Sequence, residues 1–173
     1  RVSLFARSGV THISATPTLW RKILMCPASA DLYPVQITLG GEAADQATLS
    51  ALTAKFPQAR VTHIYASTES GVGLAVSDGY AGFPISYIEK PYQGVEIRLI
   101  DGRLQIRAEA QPSGYAGNVP FAEVNGWIDT GDLVDVEGDR FFIIGRESGI
   151  INVGGDKVLP ELVRDALLAC DII

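Results

Sequence analysis

The strongest constraint on the fold is a regular alternation of short apolar strands and helical segments in the first half of the chain. The segments "GVTHISA", "PVQITLGGE" and "ARVTHIYAS" each have the composition of a short strand. The helical patterns between them begin with Pro17 in a first turn and end at Pro57. This order predicts a parallel α/β layer, whose ligand crevice lies beyond the carboxyl ends of the strands. Both "GGE" and "YASTE" follow such ends.

Apolar spacing predicts the buried face of each helix. In the first helix Leu19, Ile23 and Leu24 fall on one side, and we expect that side to face the core. The second helix is predicted to bury a stripe that consists of Leu49, Leu52 and Phe56.

The pattern changes after Gly82, where apolar runs become short and are broken by Gly and Asp. Runs such as "GVEIRLID", "GRLQIRAE" and "DRFFIIGRE" are typical of antiparallel hairpins. They predict a small antiparallel β-barrel over residues 83–147. Together with the first part, residues 1–82, this gives an α/β chain in which the later part of a parallel layer precedes the barrel.

The last stretch, residues 148–173, predicts the start of an α+β C-terminal domain. It reads as a strand, a Gly-Gly turn and a helix that begins at Pro160. The residues of that helix predicted to face inward are Leu162, Ala166 and Leu167.

Composition excludes several classes of partner. With 173 residues, 47% of them hydrophobic, the chain can bury a substantial core. A net charge of −6 argues against a broad electrostatic surface for nucleic acid. The chain contains no apolar run long enough for a membrane span and does not start with Met, so we expect part of a longer protein. Its two cysteines are too far apart to indicate a disulfide framework, so we expect a reducing compartment, the cytoplasm. Cys26 and Cys170 lack the spacing of metal ligands.

The stretch "YASTES" places an aromatic ring, a hydroxyl and a carboxylate in one glycine-flanked turn. Thr68 and Glu69 could hold a phosphate and its Mg²⁺, because Mg²⁺ takes one or two carboxylates and completes its shell with phosphate oxygens and water. Tyr65 could stack on a base. The alternative is that Thr68 and Glu69 cap a helix and that Tyr65 packs in the core.

The stretch "GWIDTGD" adds a second candidate. We expect Asp132 to follow Gly131 at a turn between hairpin strands, where its two oxygens could accept hydrogen bonds from the hydroxyls of a ribose. The alternative is an Asp that only caps the turn. Arg146, at a later strand end, could bind hydroxyls or a phosphate, or lie solvated at the surface.

Taken together and in this order, the motifs "LGGEA", "YASTES", "GWIDTGDL" and "GRESGIINVGGDKVLPE" resemble signature motifs of the acyl-adenylate-forming superfamily. This superfamily contains acyl-CoA synthetases, adenylation domains of peptide synthetases, and luciferases. The likeness extends over nearly the whole chain. It implies an enzyme that uses ATP and Mg²⁺ to convert a carboxylic acid to an acyl-adenylate, releasing pyrophosphate, and then transfers the acyl group to a thiol.

The resemblance also implies roles for single residues. Tyr65 would stack on adenine, and Thr68 would contact the α-phosphate. Glu69 would ligate Mg²⁺. Asp132 would hold the ribose hydroxyls, helped by Arg146. The full set of implied nucleotide-binding residues is Gly41, Glu42, Ala43, His63, Ile64, Tyr65, Ala66, Ser67, Thr68, Asp132, Arg146 and Lys157, and the implied catalytic residues are Thr68 and Glu69.

The sequence departs from the family pattern in two places. Ala66 replaces the usual Gly after the aromatic residue, which suggests a negative φ there. Ser148 stands at the family's hinge, where Asp or Lys is usual, between an adenylating and a thioester-forming pose of the small domain. Lys157 falls where the family places a basic residue near the nucleotide or the thiol.

We therefore expect a fragment of an ATP-dependent ligase whose thiol substrate is coenzyme A. The family's phosphate loop would lie upstream of Arg1 and its late lysine downstream of Ile173, so the chain alone is expected to be inactive. One alternative is an adenylation domain that loads a phosphopantetheine carrier protein. Another is a degenerate, non-catalytic nucleotide-binding protein.

Overall fold

The computed structural model describes residues 1–67, 71–108, 123–153, 156–168 and 170. They form two compact units: the first consists of residues 1–66 and 72–82, and the second of residues 67–71 and 83–173. The predicted α/β class, a parallel layer followed by an antiparallel sheet, is confirmed. The predicted division at residues 82 and 147 stays a prediction.

A four-stranded sheet, in the order β1-β2-β3-β4, carries the first unit. The first three strands pair in parallel, with Ala15 opposite Leu39 and Leu39 opposite His63. Their carboxyl ends are therefore aligned at one edge, as the sequence predicted. The strand bounds are β1 His12–Ala15, β2 Gln36–Leu39, β3 Arg60–Ser67 and β4 Gly71–Val76.

The helices of the first unit begin at well-defined caps. The helix that follows β1 has Thr16 as its N-cap, whose hydroxyl accepts from the Leu19 N–H at 3.3 Å, and Pro17 at its first position. The helix that follows β2 is capped by Asp45. The helix bounds are α1 Val2–Arg7, α2 Pro17–Met25 and α3 Gln46–Lys55, with a 3₁₀ turn at Pro27–Asp31.

The prediction for the buried face of α2 was partly wrong. Ile23 is buried, but Leu19 is 49% exposed and Trp20 is fully buried in its place. The Trp20 indole N–H donates to the Thr38 carbonyl at 3.1 Å, so the ring lies against β2. Leu19 and Trp20 are adjacent and point to different faces, and apolar spacing alone did not decide between them. The prediction for α3 is confirmed, because the buried set includes Leu49, Leu52 and Phe56.

The second unit is built on an antiparallel sheet in the order β5-β10-β9-β7-β6, with β8 paired to β9. Its buried side chains include Phe83 and Phe141, whose ring centroids lie 5.6 Å apart. The strand bounds are β5 Phe83–Pro84, β6 Val95–Ile100, β7 Arg103–Ala108, β8 Glu123–Val124, β9 Trp127–Glu137 and β10 Arg140–Arg146, with helix α4 at Ser86–Glu89.

The chain then forms a 3₁₀ turn, a hairpin and a helix. The helix prediction was wrong about the inward face, because Leu162, Ala166 and Leu167 are all exposed. A second hairpin strand, which the sequence analysis missed, follows the Gly-Gly pair. The bounds are the 3₁₀ turn Glu147–Gly149, β11 Ile151–Val153, β12 Asp156–Val158 and α5 Pro160–Leu168. None of the helices among the described residues is both long and apolar enough to cross a membrane.

Burial differences within the first unit predict a contrast between two leucine substitutions. Leu52 is 0% exposed and Leu19 is 49% exposed. Removing a fully buried leucine side chain costs about 2–5 kcal/mol, and most surface substitutions cost about 0.5 kcal/mol or less. Leu52→Ala should therefore lower the urea midpoint strongly, and Leu19→Ala should change it little. Equal shifts of the two midpoints, followed by circular dichroism, would contradict this assignment of the core.

Candidate functional site

The loop after β2 lies directly beside β3. Since Leu39 pairs with His63, the next residues along each strand, Gly40 and Ile64, are neighbours. A β-carbon at Gly40 would lie 2.8 Å from Ile64 Cγ1, so only glycine fits there without displacing that side chain. The two glycines of "GGE" thus begin a loop that approaches β3 closely. Gly41 and Ala43 are exposed in this loop.

The Glu42 side chain points to the start of α2. Its Oε2 accepts from the Thr18 hydroxyl at 2.6 Å and from the Thr18 backbone N–H at 3.1 Å. The first N–H groups of a helix have no partner within the helix, and a carboxylate there is stabilised by hydrogen bonding and by the helix dipole. The predicted nucleotide-binding role of Glu42 thus concerns a side chain that is already bound within the protein.

The residues at the end of β3 alternate between two faces. His63, Tyr65 and Ser67 are buried, whereas Ile64 is half-buried and Ala66 is exposed. The His63 Nε2–H donates to the Tyr80 carbonyl at 3.0 Å. Tyr65 is 9% exposed, so little of its ring is open to a ligand in this conformation, and the stacking of Tyr65 on adenine stays a prediction.

Two further predictions concern Ala66 and the turn after it. Ala66 lies in β3 and is absent from the non-glycine residues with positive φ, which agrees with the expected negative φ. Thr68 and Glu69, with their predicted phosphate and Mg²⁺ roles, lie outside the described residues. Among the residues that the structure does describe, no three His, Cys, Asp or Glu side chains are grouped as metal ligands.

Asp132 lies inside a strand and not at a hairpin turn, so the predicted location was wrong. In the pairing of β7 with β9, Gln105 lies opposite Asp129, while Arg103 lies opposite Leu133. Because β9 has the longer segment between these pairs, it forms a bulge that contains Asp132. A sequence of Gly and Asp suggests a turn, and only the pairing of the flanking residues shows that the strand continues.

Asp132 lies on the buried face of β9, along which burial alternates regularly from Trp127 to Val134, and it is opposite Arg146 of β10. Asp132 Oδ1 accepts from Arg146 Nε at 2.9 Å. The Asp132 side chain is 5% exposed, whereas that of Arg146 is 55% exposed. The Thr130 hydroxyl accepts from the Asp132 backbone N–H at 3.1 Å and donates to the Leu104 carbonyl at 2.9 Å. Arg146 thus binds a buried carboxylate, and the Thr130 hydroxyl fixes the backbone of the same residue.

A second charged cluster near Asp132 was missed by the sequence analysis. Arg103 contacts Asp129 at 3.5 Å and also forms an ion pair with Glu147. Asp129 Oδ1 in turn accepts from the Gly131 N–H at 2.9 Å, so the cluster fixes the bulge from its other side. The signal available in the sequence was Asp129 two residues before Gly131, a spacing that allows this local bond. The contact with Arg103 depends on strand pairing.

The structure groups the predicted residues within each unit. In the first unit the loop with Gly41 lies next to the end of β3. In the second unit Asp132 contacts Arg146, and Ser148 follows two residues later, exposed in a 3₁₀ turn. Lys157 is exposed on the β11–β12 hairpin, where it pairs with Asn152. Its role near a nucleotide or thiol stays a prediction.

A comparison with known protein families shows which family this chain belongs to. The profile of the AMP-binding enzyme family matches residues 1–118. The chain belongs to the AMP-binding enzyme family. This AMP-binding chain is 28% identical over 175 residues to the 2-succinylbenzoate–CoA ligase of Salmonella typhimurium, a match that covers 96% of the chain and 36% of the ligase.

Two other similarities agree with this membership. The chain is 28% identical over 190 residues to the medium/long-chain-fatty-acid–acyl-carrier-protein ligase FadD10 of Mycobacterium tuberculosis, with 94% of the chain and 35% of that ligase covered. It also matches a solved variant of E. coli MenE with bound OSB-AMS, at a TM-score of 0.76 and 25% identity over 94% of the chain and 36% of that structure. The chain thus spans about a third of the length of these proteins.

The geometry around Asp132 changes what its removal is expected to do. A turn aspartate would contribute little to folding, but this one is buried and paired with Arg146. Asp132→Ala should therefore lower the free energy of unfolding by about 1.5–3 kcal/mol, the order of a lost hydrogen bond to a charged group. Thermal denaturation measures the effect, with Asp135→Ala on the exposed part of the same strand as control. If the two variants melt together, the Asp132–Arg146 pair does not stabilise the sheet.

Proposed function

We propose that the full-length protein is an ATP-dependent ligase that activates a carboxylic acid as an acyl-adenylate and then forms a thioester with coenzyme A. Membership of the AMP-binding enzyme family supports the first half of this reaction. The similarity to a CoA ligase and to an acyl-carrier-protein ligase, each at 28% identity, supports transfer of the acyl group to a thiol in the second half. In this proposal the residues of the chain described above supply the nucleotide site.

The observation that carries the proposal is the buried Asp132 carboxylate paired with Arg146. Burial of a carboxylate is costly unless it is hydrogen-bonded, so such a group is usually retained for a purpose. A carboxylate offers two acceptor oxygens, which suit the two vicinal hydroxyls of a ribose. Arg146 keeps the carboxylate oriented, and its own side chain is 55% exposed at the surface.

The loop after β2 provides the second element of the proposal. It follows the carboxyl end of a parallel strand, which is where ligands bind in open α/β sheets. The close approach at Gly40 holds this loop against β3. We propose that Gly41 and Ala43 contact adenine mainly through backbone atoms, because the Glu42 carboxylate is bound to Thr18.

The chemistry needs little more from this chain than position and charge. We propose that Glu69 holds Mg²⁺ and that Thr68 contacts the α-phosphate, and Mg²⁺ when bound would supply positive charge at the reacting phosphate. Asp132 and Arg146 would orient the ribose, and with it the α-phosphorus, toward the attacking carboxylate. No covalent protein intermediate is required. We place the reaction in the cytoplasm, where the two free cysteines stay reduced.

The proposal also specifies which thiol accepts the acyl group. The chain is 28% identical both to a CoA ligase and to an acyl-carrier-protein ligase, so identity does not favour one acceptor. The stretch "INVGGDKVLPE" is more similar in sequence to acyl-CoA synthetases than to peptide synthetases. On that basis we propose coenzyme A as the acceptor. Thioester formation with free coenzyme A or with a phosphopantetheine carrier distinguishes the two.

The first half-reaction is tested by acid-dependent exchange of pyrophosphate into ATP in the full-length protein. Asp132→Asn should raise the KM for ATP at least tenfold, since each hydrogen bond to a charged acceptor contributes about 1.5–3 kcal/mol. Asp135→Asn, an exposed change on the same strand, should leave that KM unchanged. Absence of exchange with every acid of a broad panel would refute the ligase proposal. An unchanged KM in Asp132→Asn would refute only the ribose role.

A second prediction concerns Ser148, the proposed hinge. It is exposed in the 3₁₀ turn, where the Ile150 N–H donates to the Glu147 carbonyl at 3.2 Å. Proline fixes φ near −65° and restricts the preceding residue, so Ser148→Pro should prevent rotation about this point. We expect it to keep pyrophosphate exchange and to lose most thioester formation. Ser148→Ala should keep both.

The two half-reactions are assayed separately on one preparation of each variant. Equal loss of both in Ser148→Pro would indicate damage to the fold, and full retention of both would show that Ser148 is not the hinge.

A further inference from the structure

A polar network joins the start of α2 to both ends of the loop that follows β2. At one end the Glu42 carboxylate accepts from Thr18, as described above. At the other end Asp45 caps α3 by accepting from the Thr48 N–H at 2.8 Å. Thr18 and Asp45 lie 27 residues apart in sequence, and one side chain, that of Arg21, connects them.

Arg21 makes three hydrogen bonds with its two terminal nitrogens. Its Nη2 donates to the Thr18 hydroxyl oxygen at 3.0 Å. Its Nη1 donates to Asp45 Oδ2 at 2.7 Å and to the Thr48 hydroxyl oxygen at 3.2 Å. The guanidinium group therefore spans from the residue that holds Glu42 to the residue that begins α3.

The network and the close contact at Gly40 leave little freedom to the loop of residues 40–45. Gly40 is held against Ile64, Glu42 is held by Thr18, and Asp45 is held by Arg21. The side chains of Arg21 and Asp45 are 24% and 28% exposed, so solvent screens their pair less than it would at the open surface. A planar guanidinium with several donors in fixed directions suits this bridging position better than an ammonium group.

We propose that Arg21 is a positioning residue for the nucleotide: it fixes the loop of residues 40–45 in the shape that receives the base. The inference rests on the proposed function of that loop and adds a residue to it. Arg21 acts only through Thr18, Glu42 and Asp45. A preformed loop spares the ordering cost that a mobile one would add to nucleotide binding. Loss of Arg21 should thus weaken ATP binding more than it slows turnover.

The structural half of the proposal is tested without a nucleotide. Amide hydrogen exchange of residues 40–45 is compared among the full-length wild type, Arg21→Met and Lys22→Met, the last being an exposed lysine on the same helix. Arg21→Met should speed exchange in this loop at least about tenfold, since the loss of one of its charged hydrogen bonds alone has that effect. Lys22→Met should not. Thr18→Val, which keeps the side-chain shape and removes the bridging hydroxyl, should act like Arg21→Met.

The functional half is tested by pyrophosphate exchange with the same variants. Arg21→Met and Thr18→Val should raise the KM for ATP about tenfold and change kcat less than about threefold, because the loop contacts the base and not the reacting groups. The KM for the acid should stay unchanged. Lys22→Met should match the wild type in all three constants.

Each outcome either supports or overturns the positioning role of Arg21. Faster loop exchange together with a raised KM for ATP supports the positioning role. A lower melting temperature of Arg21→Met and Thr18→Val, with loop exchange and KM unchanged, would mean that the network is only structural. If the wild type itself shows no exchange of pyrophosphate into ATP, the proposed function is wrong, and the proposed role of Arg21 in nucleotide binding is wrong with it. The hydrogen-exchange result then still shows whether Arg21 orders the loop.

Discussion

The parallel register of the first three strands is the constraint on which the first unit depends. With Ala15, Leu39 and His63 side by side, the residues that follow them on β1, β2 and β3 emerge at one edge. Thr16 therefore starts α2 next to the place where Gly40 starts the loop. The bonds from Thr18 to Glu42 become possible because of this alignment. A shift of the register by one residue would exchange the faces of each strand and separate these groups.

The second unit achieves a similar result by the alternation of side chains along β9. Burial alternates regularly from Trp127 to Val134, so Asp132 lies on the same buried face as Thr130. The pairing of β9 with β10 places it opposite Arg146. In both units a side chain on a neighbouring element holds a carboxylate that was first noticed as a ligand candidate: Arg146 holds Asp132, and Thr18 holds Glu42. The difference is that Asp132 is nearly inaccessible, whereas Glu42 serves a helix end.

The sequence was sufficient to predict the order of the helices and strands, but it was not sufficient to predict which side chains contact each other. Alternating strands and helices, the prolines that begin or end helices and the change of pattern after Gly82 are local features, and they predicted the class of the fold. The sequence could not show that Trp20 and not Leu19 lies in the core. Both residues are apolar, and only the packing of Trp20 against β2 distinguishes them. Arg21 was missed for another reason: its partner Asp45 lies 24 residues away, and only the adjacency of β1 and β2 brings them together.

The packing of helix α5 against its unit differs from the packing of helices α2 and α3. A β-carbon at Gly145 would lie 2.8 Å from Glu161 Oε2 and 3.0 Å from Leu159 Cδ2, so the start of α5 fits closely against β10. Yet Oε2 is buried without a hydrogen-bond partner among the described residues, and burial of an unsatisfied oxygen opposes the contact.

The apolar side chains of α5 add little to offset that cost. Leu162, Val163 and Leu167 are each about half exposed, at 47%, 47% and 51%. Since stabilisation by apolar groups grows with the area removed from water, α5 gains less from its packing than α2 or α3 does. A rotation about the proposed hinge at Ser148 has to break the contact between α5 and β10. Such a rotation is feasible only where the contact to be broken is weak. The unsatisfied Glu161 oxygen and the half-exposed apolar side chains of α5 meet that requirement.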